Sequence, residues 1–208
     1  MIPAEILAVF FLASVALALA PGPDNIFVLT QSALNGHTAG LLVTLGLCTG
    51  LLAHTAAVAL GIAVIFQTSE LAFIILKSIG AAYLLYLAWQ AFSATIMNTA
   101  TRDKGKLSSR HLYQRGIIMN ITNPKVSVFF LAFLPQFSNP AKGKLTLQIV
   151  SLGFVFILAT LLVFGSIALL AGLLGPWLKR SAKVQRYLNW CAGAIFTALA
   201  IRLAITSF

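Results

Sequence analysis

Acidic residues are nearly absent. There are four in 208 positions, Glu5, Asp24, Glu70 and Asp103, and charged residues of both signs make up only 9% of the chain. A soluble domain carries about a quarter charged residues, so water is not the solvent for most of this surface. Disorder is excluded as well, because it needs low hydrophobicity, whereas 60% of these residues are apolar and the mean hydropathy is +0.96. Cysteine is scarce: Cys48 and Cys191 lie inside apolar runs. Neither has a CxxC partner or an adjacent His or Asp, which leaves no basis for a metal site or a redox pair. The three histidines, His37, His54 and His111, are scattered, and no Ser/His or paired-acid constellation is present. The chain does not read as an enzyme.

What the chain has is apolar sequence of lipid length. A bilayer core of about 30 Å takes roughly 20 apolar residues as a helix, and six runs meet that, near 4–34, 39–66, 71–97, 116–137, 147–175 and 186–206. The polar stretch 98–115 divides them into three and three. The expected fold is an all-α polytopic membrane protein, with three-helix units at 1–97 and 116–208 joined by a basic linker at 98–115. Ala18-Leu19-Ala20 looks like a signal-peptidase site, but the residues before it include Glu5 and no Lys or Arg. A signal peptide starts with positive charge, so this segment is expected to stay as a span.

The net charge of +10 would suggest nucleic acid in a soluble chain. Here the cations concentrate in two stretches between apolar runs: Arg102, Lys104, Lys106, Arg110 and Arg115, then Lys179, Arg180, Lys183 and Arg186. No nucleic-acid partner is expected. With six spans both stretches share a side, and the positive-inside rule makes that side cytoplasmic. Both termini then face outward, and the second half enters the membrane from the side opposite to the first. Short echoes follow the same order in both halves: Val43-Thr44-Leu45-Gly46 with Val150-Ser151-Leu152-Gly153, and Gly80-Ala81-Ala82-Tyr83 with Gly193-Ala194-Ile195-Phe196. Pro23-Asp24 in the first span likewise matches Pro124-Lys125 in the fourth. Inverted repeats with breaks at corresponding places point to a secondary transporter whose site lies at the breaks.

Proline removes a backbone donor and clashes with the carbonyl one turn earlier, so Pro21-Gly22-Pro23 should split the first span, a second half-helix beginning at Asp24. Free N–H groups at such a start can receive an anion, and unpaired carbonyls before it can accept donors from a cation. A plain kink is the alternative. Asp24 is the one acid placed away from a span end, where a charge costs from about 2.5 kcal/mol upward and is usually paired, protonated or facing water. It can cap the half-helix, bind a substrate ammonium, or carry a proton. Lys125 lies too deep in the fourth span to snorkel, just after Asn120, Thr122, Asn123 and Pro124. Either it pairs with Asp24 and holds the halves together, or it meets a substrate carboxylate while Asp24 meets the ammonium. His54 can relay protons or bond a neighbouring helix. Lys77 and Arg202 lie nearer span ends, where snorkelling suffices, and Gly46 with Gly50 suits close helix packing.

At these residues the sequence resembles the LysE/RhtB family of amino-acid exporters. The likeness runs over essentially the whole chain. It is carried by Ala20-Pro21-Gly22-Pro23-Asp24-Asn25, Gly36-His37 with Gly40, Gly80-Ala81-Ala82-Tyr83-Leu84, Asn123-Pro124-Lys125 and Gly193. It implies export of amino acids or close derivatives from the bacterial cytoplasm across the inner membrane, driven by the proton gradient, without cofactor or metal ion. Its implied partners are the amino acid, protons and the bilayer, with a homo-oligomer left open. It carries the site to Pro21, Gly22, Pro23, Asp24, Asn25, Asn123, Pro124 and Lys125, which the neighbouring Asn120 joins. The family includes exporters of basic and of neutral amino acids. A single Asp24 offers little excess negative charge for a second cationic group, which favours small neutral substrates of the threonine, homoserine or leucine kind. Two rivals remain. A membrane thiol carrier needs cysteines that meet on the first and fourth spans, whereas these fall on the second and sixth. A cation transporter using Asp24 and freed carbonyls is the stronger alternative, although no Cys or His adjoins Asp24 to favour a transition metal.

Overall fold

The computed structural model describes residues 2–20, 22–68, 70–93, 107–180 and 182–205, and the regular structure in them is helical throughout. The first half holds α1 (Ala4–Leu19), α2 (Pro23–Asn35), α3 (His37–Thr68) and α4 (Glu70–Ser93). The second holds α5 (Ser109–Ile121), α6 (Pro124–Val128), α7 (Leu145–Arg180) and α8 (Ala182–Ile205). Past Val128 the chain widens into a π turn over Phe129–Phe133 and tightens into a 3-10 turn over Leu134–Phe137.

Two helices, over His37–Gly61 and Leu145–Ala171, are each long and apolar enough to cross a bilayer. Two bent pairs meet the same test as broken spans: α1 with α2, inclined by 65°, and α5 with the segment Pro124–Phe137, inclined by 49°. The chain is thus a polytopic helical membrane protein whose breaks fall in the two expected spans. Outward-facing leucines agree with that solvent. On α3, Val43, Leu47 and Leu51 are buried while Leu45, Leu52 and Leu60 are exposed, so an apolar surface faces outward as hydrocarbon requires.

Three boundaries differ from the sequence expectation. The second half-helix begins at Pro23, one residue before Asp24, because proline's fixed φ and missing N–H suit the first helical position. Helix α5 takes up Ser109 to Arg115, so that part of the 98–115 linker is helical, capped by the Ser108 hydroxyl accepting from the His111 N–H; residues 98–106 lie outside the described residues. The basic stretch at 176–186 is mostly helical too, since α7 runs through Arg180 and α8 starts at Ala182. Lysine and arginine are good helix formers, and a cation in the last turn meets the negative end of the helix dipole.

Helix α3 is the spine, packing along α5 and α7, while α4 pairs with α8 and α1 lies along α7. Helix α2 turns back at Gly36, whose φ of +85° is in the left-handed region that glycine enters without strain, and beds between α3 and α7. At its glycines the α3–α5 seam has no room for a side chain. A Cβ on Gly116 would run into the Val43 carbonyl, one on Gly46 into the Tyr113 carbonyl, and one on Gly50 would lie 2.7 Å from Asn120. The expected close packing at Gly46 and Gly50 is what the helices show. Because backbone rather than a flexible tip fills that space, Gly116→Val should destabilise the protein by about 3 kcal/mol or more. Thermal unfolding in detergent measures this, and an unshifted midpoint would contradict the seam.

Candidate functional site

Both breaks are built alike and finished differently. Each second piece starts with proline at its first helical position, Pro23 in α2 and Pro124 in α6. In the second half Asn123 closes the start of α6, its Oδ1 accepting from the Lys125 N–H at 3.0 Å. In the first half the corresponding place is taken by Gly22, which has no side chain to offer, so the first N–H groups of α2 receive no side-chain cap. An uncapped helix start with the positive end of its dipole favours an anion. Pro21 lies outside the described residues.

The carbonyls left open at the end of α1 are taken by side chains. Lys125 Nζ donates to the carbonyls of Leu17 at 3.1 Å and Ala20 at 3.0 Å, and Asn25 Nδ2 donates to that of Ala18 at 2.7 Å. The freed carbonyls do receive a cation, and it is the protein's own ammonium, from the other half. Lys125 is 8% exposed. Two of its three ammonium protons are engaged, and the third remains for another partner. Asp24, 3% exposed, receives the Asn123 Nδ2 amide on Oδ2 at 2.7 Å. Its other oxygen, Oδ1, is buried without a hydrogen-bond partner. Among the described residues Asp24 caps no helix start, and no ion pair joins it to Lys125. Asn123 bridges them instead, with its amide on Asp24 and its carbonyl oxygen on the Lys125 backbone.

A cavity of about 430 Å³ opens beside these groups, within the size range of small-molecule sites. Gly22, Pro23 and Ile26 from the start of α2 and Lys125 from α6 line one side. Leu87, Gln90 and Ala91 of α4 with Asn189 and Phe196 of α8 line the other. The breaks therefore bring Asp24, Asn123 and Lys125 into one network, with Asn25 on a neighbouring α1 carbonyl, and of these Lys125 reaches the cavity while Asp24 stands behind it. Asn120, buried, packs on Gly50 and sends its backbone carbonyl to His54 Nε2 at 3.2 Å. His54 thus bonds a neighbouring helix, the plainer of its two expected roles. Gln90 and Asn189 were not legible as site residues, since a single amide near a helix end has no spacing signature. Their one signal is position: Asn189 shares a helical face with Gly193 and Phe196.

Residues 15–207 match the family of LysE type translocators. A protein of Salmonella typhimurium named homoserine/homoserine lactone efflux protein is 35% identical over 94% of both chains. An uncharacterized membrane protein of Vibrio cholerae is 32% identical, also over 94% of each, and one of Bacillus subtilis is 29% identical over 91% of this chain and 94% of its own. No solved structure matches. The chain belongs to the LysE type translocators. It is a membrane transporter and not an enzyme, so its task is to bind and release a substrate rather than to transform one.

Asn123 ties the two breaks together, and removing it should be felt in stability. Asn123→Ala takes away the α6 cap, about 1 kcal/mol, and orphans a buried carboxylate, roughly 1–3 kcal/mol more. The exposed Thr122→Ala should cost little. Equal thermal midpoints for the two variants in detergent would show that the bridge carries no weight.

Proposed function

We propose that this translocator exports small neutral amino acids from the bacterial cytoplasm across the inner membrane by alternating access, exchanging them for protons. The observation that carries the reading is the cavity at which the free donor of Lys125 and the uncapped start of α2 converge. A carboxylate there gains a charge-assisted hydrogen bond and the helix-dipole field together. Asp24, with one oxygen unpartnered behind the cavity, is the group that takes the substrate ammonium or a proton. Pro21, Gly22, Pro23, Asn25, Asn120 and Pro124 shape or support the site, with Asn123 between its two charges. Efflux in the name of the Salmonella relative supports the direction.

Alternating access is supported by the way the halves pack. Taking 1–97 and 116–208 as inverted three-span repeats on either side of the 98–115 linker, α3–α7 and α4–α8 are self-matching pairs, and α1–α7 has α5–α3 as its counterpart. Near-symmetric rocking about such pairs exposes a midplane site to each side in turn. Six spans with the basic stretches inside put both termini in the periplasm; alkaline phosphatase fused after Phe208 should then be active. A cation cargo is the second reading, but the carbonyls that would hold a cation at the break already hold Lys125. The test is a panel in proteoliposomes: homoserine, threonine, leucine and lysine, each with a pH gradient, against divalent metal uptake in the same vesicles. Accumulation of a neutral amino acid that a protonophore abolishes supports the proposal. Metal uptake without amino-acid movement overturns it.

A further inference from the structure

We propose that Asn189 on α8, with Gln90 on α4, reads the side chain of the transported amino acid and selects substrates that carry an uncharged hydrogen-bonding group there. This deepens the export reading and rests on it. Asn189 is 8% exposed, lines the same cavity as the start of α2, and its amide makes no hydrogen bond among the described residues. Its polar atoms are not among the buried unpaired ones but are accessible, and the cavity is the place from which a partner reaches them. Gln90 sits on the same wall. Its Nε2 donates to the Tyr86 hydroxyl, which turns the amide and leaves Oε1 as an acceptor.

The rest of that wall, Leu87, Ala91 and Phe196, is apolar, and among the described residues no acid lines the cavity. A substrate whose carboxylate meets Lys125 has its side chain left to face these amides. An amide offers one donor side and one acceptor, so it matches a hydroxyl, an amide or a lactone carbonyl. An alkyl side chain in the same place leaves the amide dry and unpaired, and a site built for a hydrogen bond rejects an analogue lacking it. A cationic side chain would lose its water without a carboxylate to replace it. Homoserine and norvaline make the cleanest pair, because one carries a hydroxyl where the other has a methyl group.

The full chain, purified and reconstituted, is assayed by counterflow with both amino acids in each preparation. The wild type should favour homoserine over norvaline by about tenfold or more in kcat/KM, and Asn189→Leu should bring that ratio to within about twofold. The ratio does not depend on how much protein survives reconstitution, and Asn189→Ala serves as a second variant should leucine overfill the wall. Gln90→Leu should lower the ratio by a smaller factor. A wild-type preference that persists in both Asn189 variants, or no preference in the wild type, overturns the assignment while leaving export intact. A wild type that moves neither amino acid removes the export reading and this assignment with it.

Discussion

Lys125→Gln should lower export by about a hundredfold while the protein remains folded in the membrane. The substitution separates the job that the ammonium performs in the structure from the one proposed for it. As a donor, Lys125 satisfies the Leu17 and Ala20 carbonyls at the end of α1, and a glutamine amide retains two N–H donors for that purpose. As a charge, it would supply the field and the third proton that a substrate carboxylate needs in the proposed site, and glutamine supplies neither. A hydrogen bond to a charged group contributes about 1.5–3 kcal/mol, which at the upper end is roughly two powers of ten in affinity. The loss should therefore appear as a raised KM in counterflow with a nearly unchanged thermal midpoint. Lys125→Met removes both jobs and should lower the midpoint as well, since it leaves two buried carbonyls unpaired. Arginine is not an adequate replacement, because a Cβ built on Gly22 would already come within 3.3 Å of the lysine Nζ, and the broader guanidinium has no such space. Wild-type KM in the glutamine variant would place the carboxylate elsewhere and reduce Lys125 to a clamp between the halves.

The breaks were legible because proline acts on its own backbone whatever surrounds it, so Pro23 and Pro124 mark half-helix starts without any knowledge of packing. The charged pair was legible because lipid makes Asp24 and Lys125 costly unless they have partners. Which partners they have was not legible. Asn123 lies 99 residues from Asp24, and the lysine reaches α1 carbonyls 105 and 108 residues away, distances over which local sequence carries no signal. Sequence offered an ion pair or a substrate contact for Lys125, and the structure adds a third role, a cap on α1. The short echoes between halves fix residue size more than environment. Gly46 packs against the backbone of α5, whereas its echo Gly153 packs against Thr55 of α3. Helix ends in the basic stretches were misplaced for a simpler reason: a run of Lys and Arg looks like a loop in a hydropathy reading, although nothing in those side chains opposes a helix.

Asp24→Asn should abolish proton-driven export and remove the pH dependence of substrate binding, again without loss of the fold. Asparagine is the same shape, and its oxygen can still accept the Asn123 amide that now reaches Oδ2. Its NH2 then occupies the place of Oδ1, the buried oxygen that has no donor in the wild type, which makes the variant an uncharged imitation of the protonated acid. The sign follows from the charge. In the proposed site Asp24 would hold a substrate ammonium only while ionised, so the wild type should bind a neutral amino acid less tightly as pH falls, and on the proposed reading the acidic periplasmic side is where protonation promotes release. In the proposed exchange each proton taken up there is discharged when Asp24 ionises on the cytoplasmic side to receive the next substrate, which would couple inward proton movement to outward amino-acid movement. A variant fixed in the neutral form should bind weakly, by about a hundredfold or more, with an affinity that stays flat across acidic and mildly alkaline pH. Calorimetric binding over a pH series, with proton release followed by a pH-sensitive dye during counterflow, measures both effects. A variant that still accumulates substrate under a pH gradient would show that the proton is carried by another group, and the unpartnered oxygen of Asp24 would then have no part in coupling.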